Sequence, residues 1–475
     1  WPTAGPQGHQ VANSCRFNAA SSEYLKRTSG TPTNAQKGTL SFWIKRSALG
    51  SVRLFANNVT SLLFGYVDFT SGDKLRCAMN DAGTVGIQTN RLFRDVSAWY
   101  HIVIACDTTQ NTEADRVKLY VNGVQETSLQ TNTQPSQNST LSLFNASSSN
   151  GQVVGAYYNG SSYSSYFDGY IAEAVLIDGQ GLAPTSFGEF NSQTGIWVPK
   201  VVTGLTFGTN GFYQNYSNSG ALGEDFSGND NDFTVNNLTS LDQSTDTCST
   251  NFATLNRLTK ASDVTLSNGN LTTLGTSNGI NGTVGSATIG IPSSGKWYYE
   301  IKYVNVIANA YYPKSGLISV EDTQFGRLLN GDAGTAGYTT NSIGFRQNGQ
   351  KFYNNSASSF GNSVSNGNIV QWYVDMDNGA VYVGINDTVQ NSGNPASGAS
   401  KTGAIWTFTA GTYSALMPST SDYNGSSMSF NFGSPPYAIS SGNTDGNGFG
   451  NFEYAVPTGY LSLNRYKSNN WFIIF

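Results

Sequence analysis

The residues Val370-Gln371-Trp372-Tyr373-Val374-Asp375-Met376 alternate between two faces of an extended chain. They run through Asp377-Asn378-Gly379 straight into a second alternating stretch, Ala380-Val381-Tyr382-Val383-Gly384-Ile385-Asn386. A period of two puts Val370, Trp372, Val374 and Met376 on one side, and Asn-Gly supplies the positive-φ positions a tight antiparallel turn requires, so the segment predicts a hairpin. The same grammar recurs along the chain. Thr39–Lys45 places Leu40, Phe42 and Ile44 together, Val117–Val121 alternates into Asn122-Gly123, and Trp297, Tyr299, Ile301 and Tyr303 share a face. Trp99–Cys106 and Phe167–Asp178 are near-continuous apolar runs of strand length, the second followed by Leu182-Ala183-Pro184 and a short helical turn expected near Thr185–Phe190.

A chain of 475 residues exceeds one ordinary core, which predicts two or three domains, and two sandwiches plus a connector fit that length. Only 12% of residues are charged, while aromatics reach 13% and glycines number 53. That balance excludes a disordered chain and suits short strands with many turns. The fold class expected is all-β: two antiparallel β-sandwich (jelly-roll) domains joined by a Gly/Asn/Ser-rich structured connector. The boundaries expected are 1–197 and 258–437 for the sandwiches, 198–257 for the connector and 438–475 for a C-terminal extension. Phe207, Phe212, Tyr213, Phe226 and Phe233 are the anchors expected to pin the connector to a neighbouring domain.

The formal charge of −5 is dispersed and no Lys/Arg cluster tracks a phosphate backbone, which argues against nucleic acid. No apolar stretch approaches the roughly 20 residues of a membrane span, so no membrane insertion is expected. The start at Trp1, with no secretion signal, is read as a processed form or an internal portion of a longer product. Cys15, Cys77, Cys106 and Cys248 lack the spacing of a disulfide framework or zinc site and are expected to be buried thiols, one isolated disulfide being the alternative.

Catalytic residues are scarce. The two histidines, His9 and His101, sit in no nucleophile or metal motif, and His101 lies in an apolar strand as a core residue would. A glycan-cleaving site needs paired carboxylates about 5–9 Å apart. Glu173 is the one acidic residue inside its apolar strand, and Glu300 and Asp375 are similarly placed singletons in theirs. No catalytic residue is assigned and no enzymatic activity is expected. Sugar binding asks for aromatic rings to stack on pyranose faces and for amides and hydroxyls to meet theirs. Tyr157, Tyr158, Asn159, Tyr163 and Tyr166, gathered within ten residues among glycine and serines, meet that specification.

The first half resembles the laminin-G/pentraxin jelly rolls of the concanavalin A-like class over residues 10–195. The resemblance rests on Phe42-Trp43, Trp99 with His101, Leu119–Gly123 and Gly169–Ile177, in the family's order. The family's last strand usually has an acidic residue where this chain has Ala172. The resemblance implies rim calcium as a candidate ligand, with Asp107, Asp115, Asp168 and Asp178 as candidate donors, solvated turn aspartates being the alternative; otherwise no cofactor is expected. The second half resembles SPRY domains through Gly295–Glu300, Ile343–Phe345 with Gly349–Lys351, Gly367–Gly379 and Met428–Gly433. SPRY relatives bind partners through loops at one end, which implies Tyr311, Tyr312, Tyr353, Tyr423 and Asn424 as ligand- or partner-binding residues. Tyrosines that simply cover loops or pack against other subunits are the alternative.

The pairing of the two sandwiches resembles virion proteins of tailed bacteriophages, tail fibres and head fibres above all. It implies a virion-surface or extracellular protein that recognises host-surface glycans for attachment, contacts other virion subunits and forms a homo-oligomer, with a trimer expected. A capsid decoration or cement protein without a soluble ligand is the second reading, and a secreted glycan-cleaving enzyme the third.

Overall fold

The computed structural model describes residues 8–58, 64–80, 85–144, 148–276, 283–284, 286–307, 313–323, 325, 336–422 and 424–465. The chain is all-β and divides into two compact units, Trp1–Asn251 and Phe252–Phe475. No helix among the described residues is long and apolar enough to cross a membrane.

The first unit is a sandwich of two eight-stranded sheets. In one, Trp99–Asp107, Lys37–Arg46 and Gly169–Asp178 lie side by side, with Ser14–Phe17 beyond them. In the other, Lys74–Asn80, Phe64–Phe69, Val52–Asn58, Ser148–Val154 and Tyr24–Ser29 follow one another. The alternation read from sequence sets the inner faces: Leu40, Phe42 and Ile44 meet Leu25, Val67, Phe69, Leu75 and Cys77 in one buried core. Asn122 and Gly123 both adopt positive φ and turn Val117–Val121 back onto Val124–Gln125. A Cβ at Gly123 would stand 2.2 Å from the Trp197 ring, so glycine is required there for space as well as for φ.

The stretch expected to be a connector is divided by the unit boundary, and through Asn251 it completes the first sandwich. Phe212–Gln214 pairs with Gly169–Asp178, Thr234–Asn236 with Tyr24–Ser29, and Gln243–Ser244 with Ser14–Phe17. Phe212 and Phe233 enter the core, whereas Phe207 and Tyr213 pack on the far side of the first sheet, with Val103, Val175 and Ile177. The helical turn expected near Thr185–Phe190 is a 3-10 turn at Pro184–Ser186, where proline presets φ; Gly188–Phe190 is a strand paired with Trp197–Pro199.

The second unit packs a nine-stranded sheet against a seven-stranded one. Lys296–Asn305 sits in the middle of the larger sheet, between Ser427–Asn431 and Ile369–Asp375, and the hairpin expected at Asp377–Gly379 joins Ile369–Asp375 to Ala380–Ile385. Tyr299, Ile301, Tyr303, Val370, Trp372, Val374 and Met376 fill its core. The segment expected as an extension from 438 is integral to this unit through 465. Tyr460–Ser462 adds to Lys296–Asn305 as a parallel strand, and Phe452 packs edge-on against Tyr298.

Candidate functional site

The outer face of the first unit's second sheet carries the aromatic site. Because Leu25, Val67, Leu75 and Cys77 point into the core, the pleat turns Tyr24, Lys26, Tyr66, Asp68, Lys74 and Arg76 outward. Against this face folds a small hairpin of Tyr157–Tyr158 and Tyr163–Ser164. Asn159 builds its turn: Oδ1 accepts from the Ser161 and Ser162 backbone N–H groups at 3.0 and 2.9 Å and from Ser161 Oγ at 2.9 Å.

The hairpin splits its tyrosines into two groups. Tyr163 stacks on Tyr24, with centroids 4.3 Å apart and planes at 25°, and meets Tyr158 at 5.0 Å; Tyr166 lies 6.0 Å from Tyr24. Lys26 Nζ stands 5.4 Å over the Tyr163 ring. Tyr157 instead packs on Phe64 at 5.1 Å and faces the Arg53 guanidinium at 5.0 Å, which itself lies 3.5 Å from the Tyr66 ring. Asp68 holds the arginines, paired with Arg53 and gripped by Arg76 through two bonds of 3.0 and 2.7 Å.

Tyr157, Tyr158, Tyr163 and Tyr166 are half-buried and Asn159 is exposed, so the rings are fixed by packing yet still reach solvent. Tyr158 and Tyr166 each donate a 3.0 Å bond to a backbone oxygen, of Gly160 and Tyr163, which orients their hydroxyls and leaves lone pairs free to accept. Burial, then the neighbouring Tyr24 and Tyr158, pushes the Tyr163 hydroxyl up to about 12, so it stays a neutral donor. Sequence reasoning found the hairpin residues but missed Tyr24, Lys26, Arg53, Tyr66 and Arg76. Their only signal was strand alternation, since strand pairing is what brings them to the hairpin.

The remaining candidates fall elsewhere. Tyr353 ends Gln350–Tyr353, half-buried against the second core, and Asn354 and Asn355 turn the chain at positive φ. Asn424 is exposed at positive φ beyond Ala415–Ser421, a strand separated from that of Tyr353 by Lys314–Ser319 and Ser342–Arg346. Tyr311, Tyr312 and Tyr423 lie outside the described residues.

The calcium candidates are spread out. Asp107 and Asp178 sit at the same end of their sheet, paired respectively with Lys37 and Gly38, whereas Asp168 precedes the other end of Gly169–Asp178. Asp178 is buried and accepts backbone N–H bonds from Thr33, Asn34 and Asn210. Burial would raise Asp107, but bonds from Thr109, Gln110 and Lys37 outweigh it and hold the carboxyl at about 2. Asp115 pairs with Lys118 at 2.8 Å. Among the described residues no three His, Cys, Asp or Glu side chains converge as a metal site.

The acid–base residues are held in structural roles. His101 is buried between Trp43 and Trp197, with ring centroids at 4.6 and 5.9 Å and both planes at 22°. Trp197 Nε1 donates to its Nδ1 at 2.9 Å. An indole only donates, so the histidine proton is on Nε2, facing Ser41 Oγ at 3.0 Å; burial lowers the ring's pKa to about 3. Glu173 is the extra residue of a β-bulge, with φ 50° and 6% exposure; Tyr213 donates to it at 2.7 Å. Burial, and no neighbouring carboxylate, pushes it up to about 7. Glu300 accepts from Tyr298, Asn431 and the backbones of Glu453 and Tyr454, and Asp375 from Lys296 and Asn378.

Two sheets packed around an apolar core make the first unit a β-sandwich, with an aromatic hairpin laid on one outer face. Residues 19–180 match the Laminin_G_3 family model, described as the Concanavalin A-like lectin/glucanases superfamily. No curated protein matches the chain. Similar solved structures include a protein of Bacteroides ovatus ATCC 8483, provisionally described as carbohydrate-binding, at 14% identity and a TM-score of 0.35; the alignment covers 48% of this chain and 59% of that one, less than two thirds of its length. The SPRY domain of human HERC1 aligns at 17% identity and a TM-score of 0.27, covering 36% of this chain and 93% of that domain. Likenesses of that degree define no family.

Proposed function

We propose that this chain is a non-enzymatic carbohydrate-binding protein whose first unit grips a saccharide on the tyrosine hairpin. The observation that carries the reading is the packed set of Tyr24, Tyr158, Tyr163 and Tyr166, fixed in place yet open to solvent beside the exposed Asn159. Rings held this way offer apolar faces to sugar C–H groups at little entropic cost, while Asn159, Ser161 and Ser162 meet hydroxyls. The match of residues 19–180 to a lectin-type family model supports the same reading.

In its finer form the protein stands on the surface of a bacteriophage virion, as a fibre or capsid-attached appendage, where it attaches to host glycans and assembles with other virion subunits as a homotrimer. Low charge, abundant Asn, Gly and Ser, and the order of the two sandwiches support this form.

The test is a glycan array probed with the full chain, with and without EDTA, and with Tyr158→Ala and Tyr353→Ala variants. Binding to a defined glycan class that Tyr158→Ala abolishes and Tyr353→Ala leaves intact is expected. Silence across a broad array, or binding that survives Tyr158→Ala, overturns the assignment and favours a decoration protein.

A further inference from the structure

Lys45 is a buried cation of the first unit whose surroundings go beyond charge neutralisation. It points from Lys37–Arg46 to the face opposite the core and is 1% exposed, as is the Asp246 side chain paired with it at 2.8 Å. A second contact of the same length runs from Lys45 Nζ to Asn251 Oδ1. The Asn251 amide is oriented from its other side, where Nδ2 donates to Ser97 O at 2.8 Å. Trp99 Nε1 fixes Asp246 through Oδ1 at 3.1 Å, and the buried Tyr170 ring lies 5.6 Å from the lysine nitrogen. An amine, a carboxylate and a carboxamide thus meet in a water-poor, aromatic-walled site.

We propose that Lys45 and Asn251 become joined by an intramolecular isopeptide bond that the protein forms by itself, with Asp246 as the catalytic residue. A C=O bond is about 1.23 Å long, so an amine hydrogen-bonded to Oδ1 already stands within about 4 Å of Asn251 Cγ. Rotation about the Asn251 χ2 torsion, which gives up the bond to Ser97 O, supplies the remaining alignment. Burying separate charges is costly, so proton transfer from the Lys45 ammonium to Asp246 is favoured here more than in water and frees the lone pair.

The Nζ–Cγ bond forms and the Cγ–Nδ2 bond breaks. Lys45 gives up two of its three ammonium protons by way of Asp246, and Nδ2 carries them off with its own two as an ammonium ion. Asp246 returns to the carboxylate and then accepts from the new amide N–H. Asn251 is half-buried, which gives the ammonium a way out. No oxidant, metal or second substrate is required.

Intact mass spectrometry of the full chain tests this directly. A mass about 17 Da below that of the sequence is expected, together with a branched peptide joining the Lys45 and Asn251 segments after digestion. Asp246→Ala is expected to restore the full mass and the two linear peptides. Should that variant fail to fold, Asn251→Ala at the half-buried position is expected to do the same. Full mass in the wild type after prolonged incubation overturns the proposal. A mass deficit with only linear peptides, as a succinimide would give, overturns it equally.

Discussion

Tyr24 and Tyr163 stack at 4.3 Å, and this contact clamps the tyrosine hairpin onto the sheet beneath it. An aromatic pair of this kind is worth about 1 kcal/mol beyond area burial. Tyr24→Ala is therefore expected to weaken saccharide binding by up to about tenfold, which titration calorimetry would read, while Tyr24→Phe retains affinity. Full affinity in the alanine variant would show that the hairpin needs no clamp.

His101 carries an acid-side prediction. Burial lowers its ring to about 3 in the folded unit against about 6.5 for a free imidazole, so its contribution to stability is present above 6.5 and is lost as the pH falls toward 3. The loss amounts to about 4–5 kcal/mol across that window. Nitrogen NMR of the ring should show the neutral Nε2–H tautomer persisting at pH 5, and protonation near 6.5 would contradict the stack with Trp43 and Trp197.

Glu173 acts in the opposite direction. Burial pushes its carboxyl up to about 7 when folded against about 4.5 in the unfolded chain, so the folded unit keeps a proton that the unfolded chain sheds. The associated stability is present below 4.5 and disappears as the pH rises through 7, about 3 kcal/mol in total. Denaturant unfolding of Glu173→Gln at pH 5 and pH 8.5 should show the variant gaining on the wild type at the higher pH. The His101 slope should persist in it.

Glu300 ties the segment around residues 438–459 to the second sandwich, since Glu453 N and Tyr454 N both donate to it, at 3.0 and 2.9 Å. Glu300→Ala leaves several buried donors unsatisfied and is expected to cost about 3–5 kcal/mol. Limited proteolysis should then cut within residues 438–459 before the rest of the unit, and simultaneous loss of the whole unit would show that the segment is not separately anchored.

Strand faces were legible because alternation survives wherever one face is buried: Leu40, Phe42 and Ile44, or Val370, Trp372 and Val374, could be assigned before any tertiary contact was known. Turns at Asn122-Gly123 and Asp377–Gly379 were legible because few residues tolerate their φ. The closing strands of the first unit were not. Phe212–Gln214 and Thr234–Asn236 have three residues each, too few for a period, and their turn-rich flanks resemble a linker. Alternation also fails at Glu173, where a bulge adds a residue that no pattern announces. The aromatic site was half legible: the Tyr157–Tyr166 run declares itself, but Tyr24 joins it only through the pairing of Ser148–Val154 with Tyr24–Ser29.

Ser14 pairs with Ser244, so one edge of the first sandwich is made from stretches far apart in the chain. During synthesis on a ribosome, Ser14–Phe17 has to wait, its outer backbone groups exposed, until Gln243–Ser244 has been made and has left the exit tunnel. Closure of such distant pairings is slow, and an unpaired edge invites a neighbouring nascent chain to take the vacant place. Shielding of that waiting edge, by slow translation or by a chaperone, is therefore expected to raise the share of chains that fold.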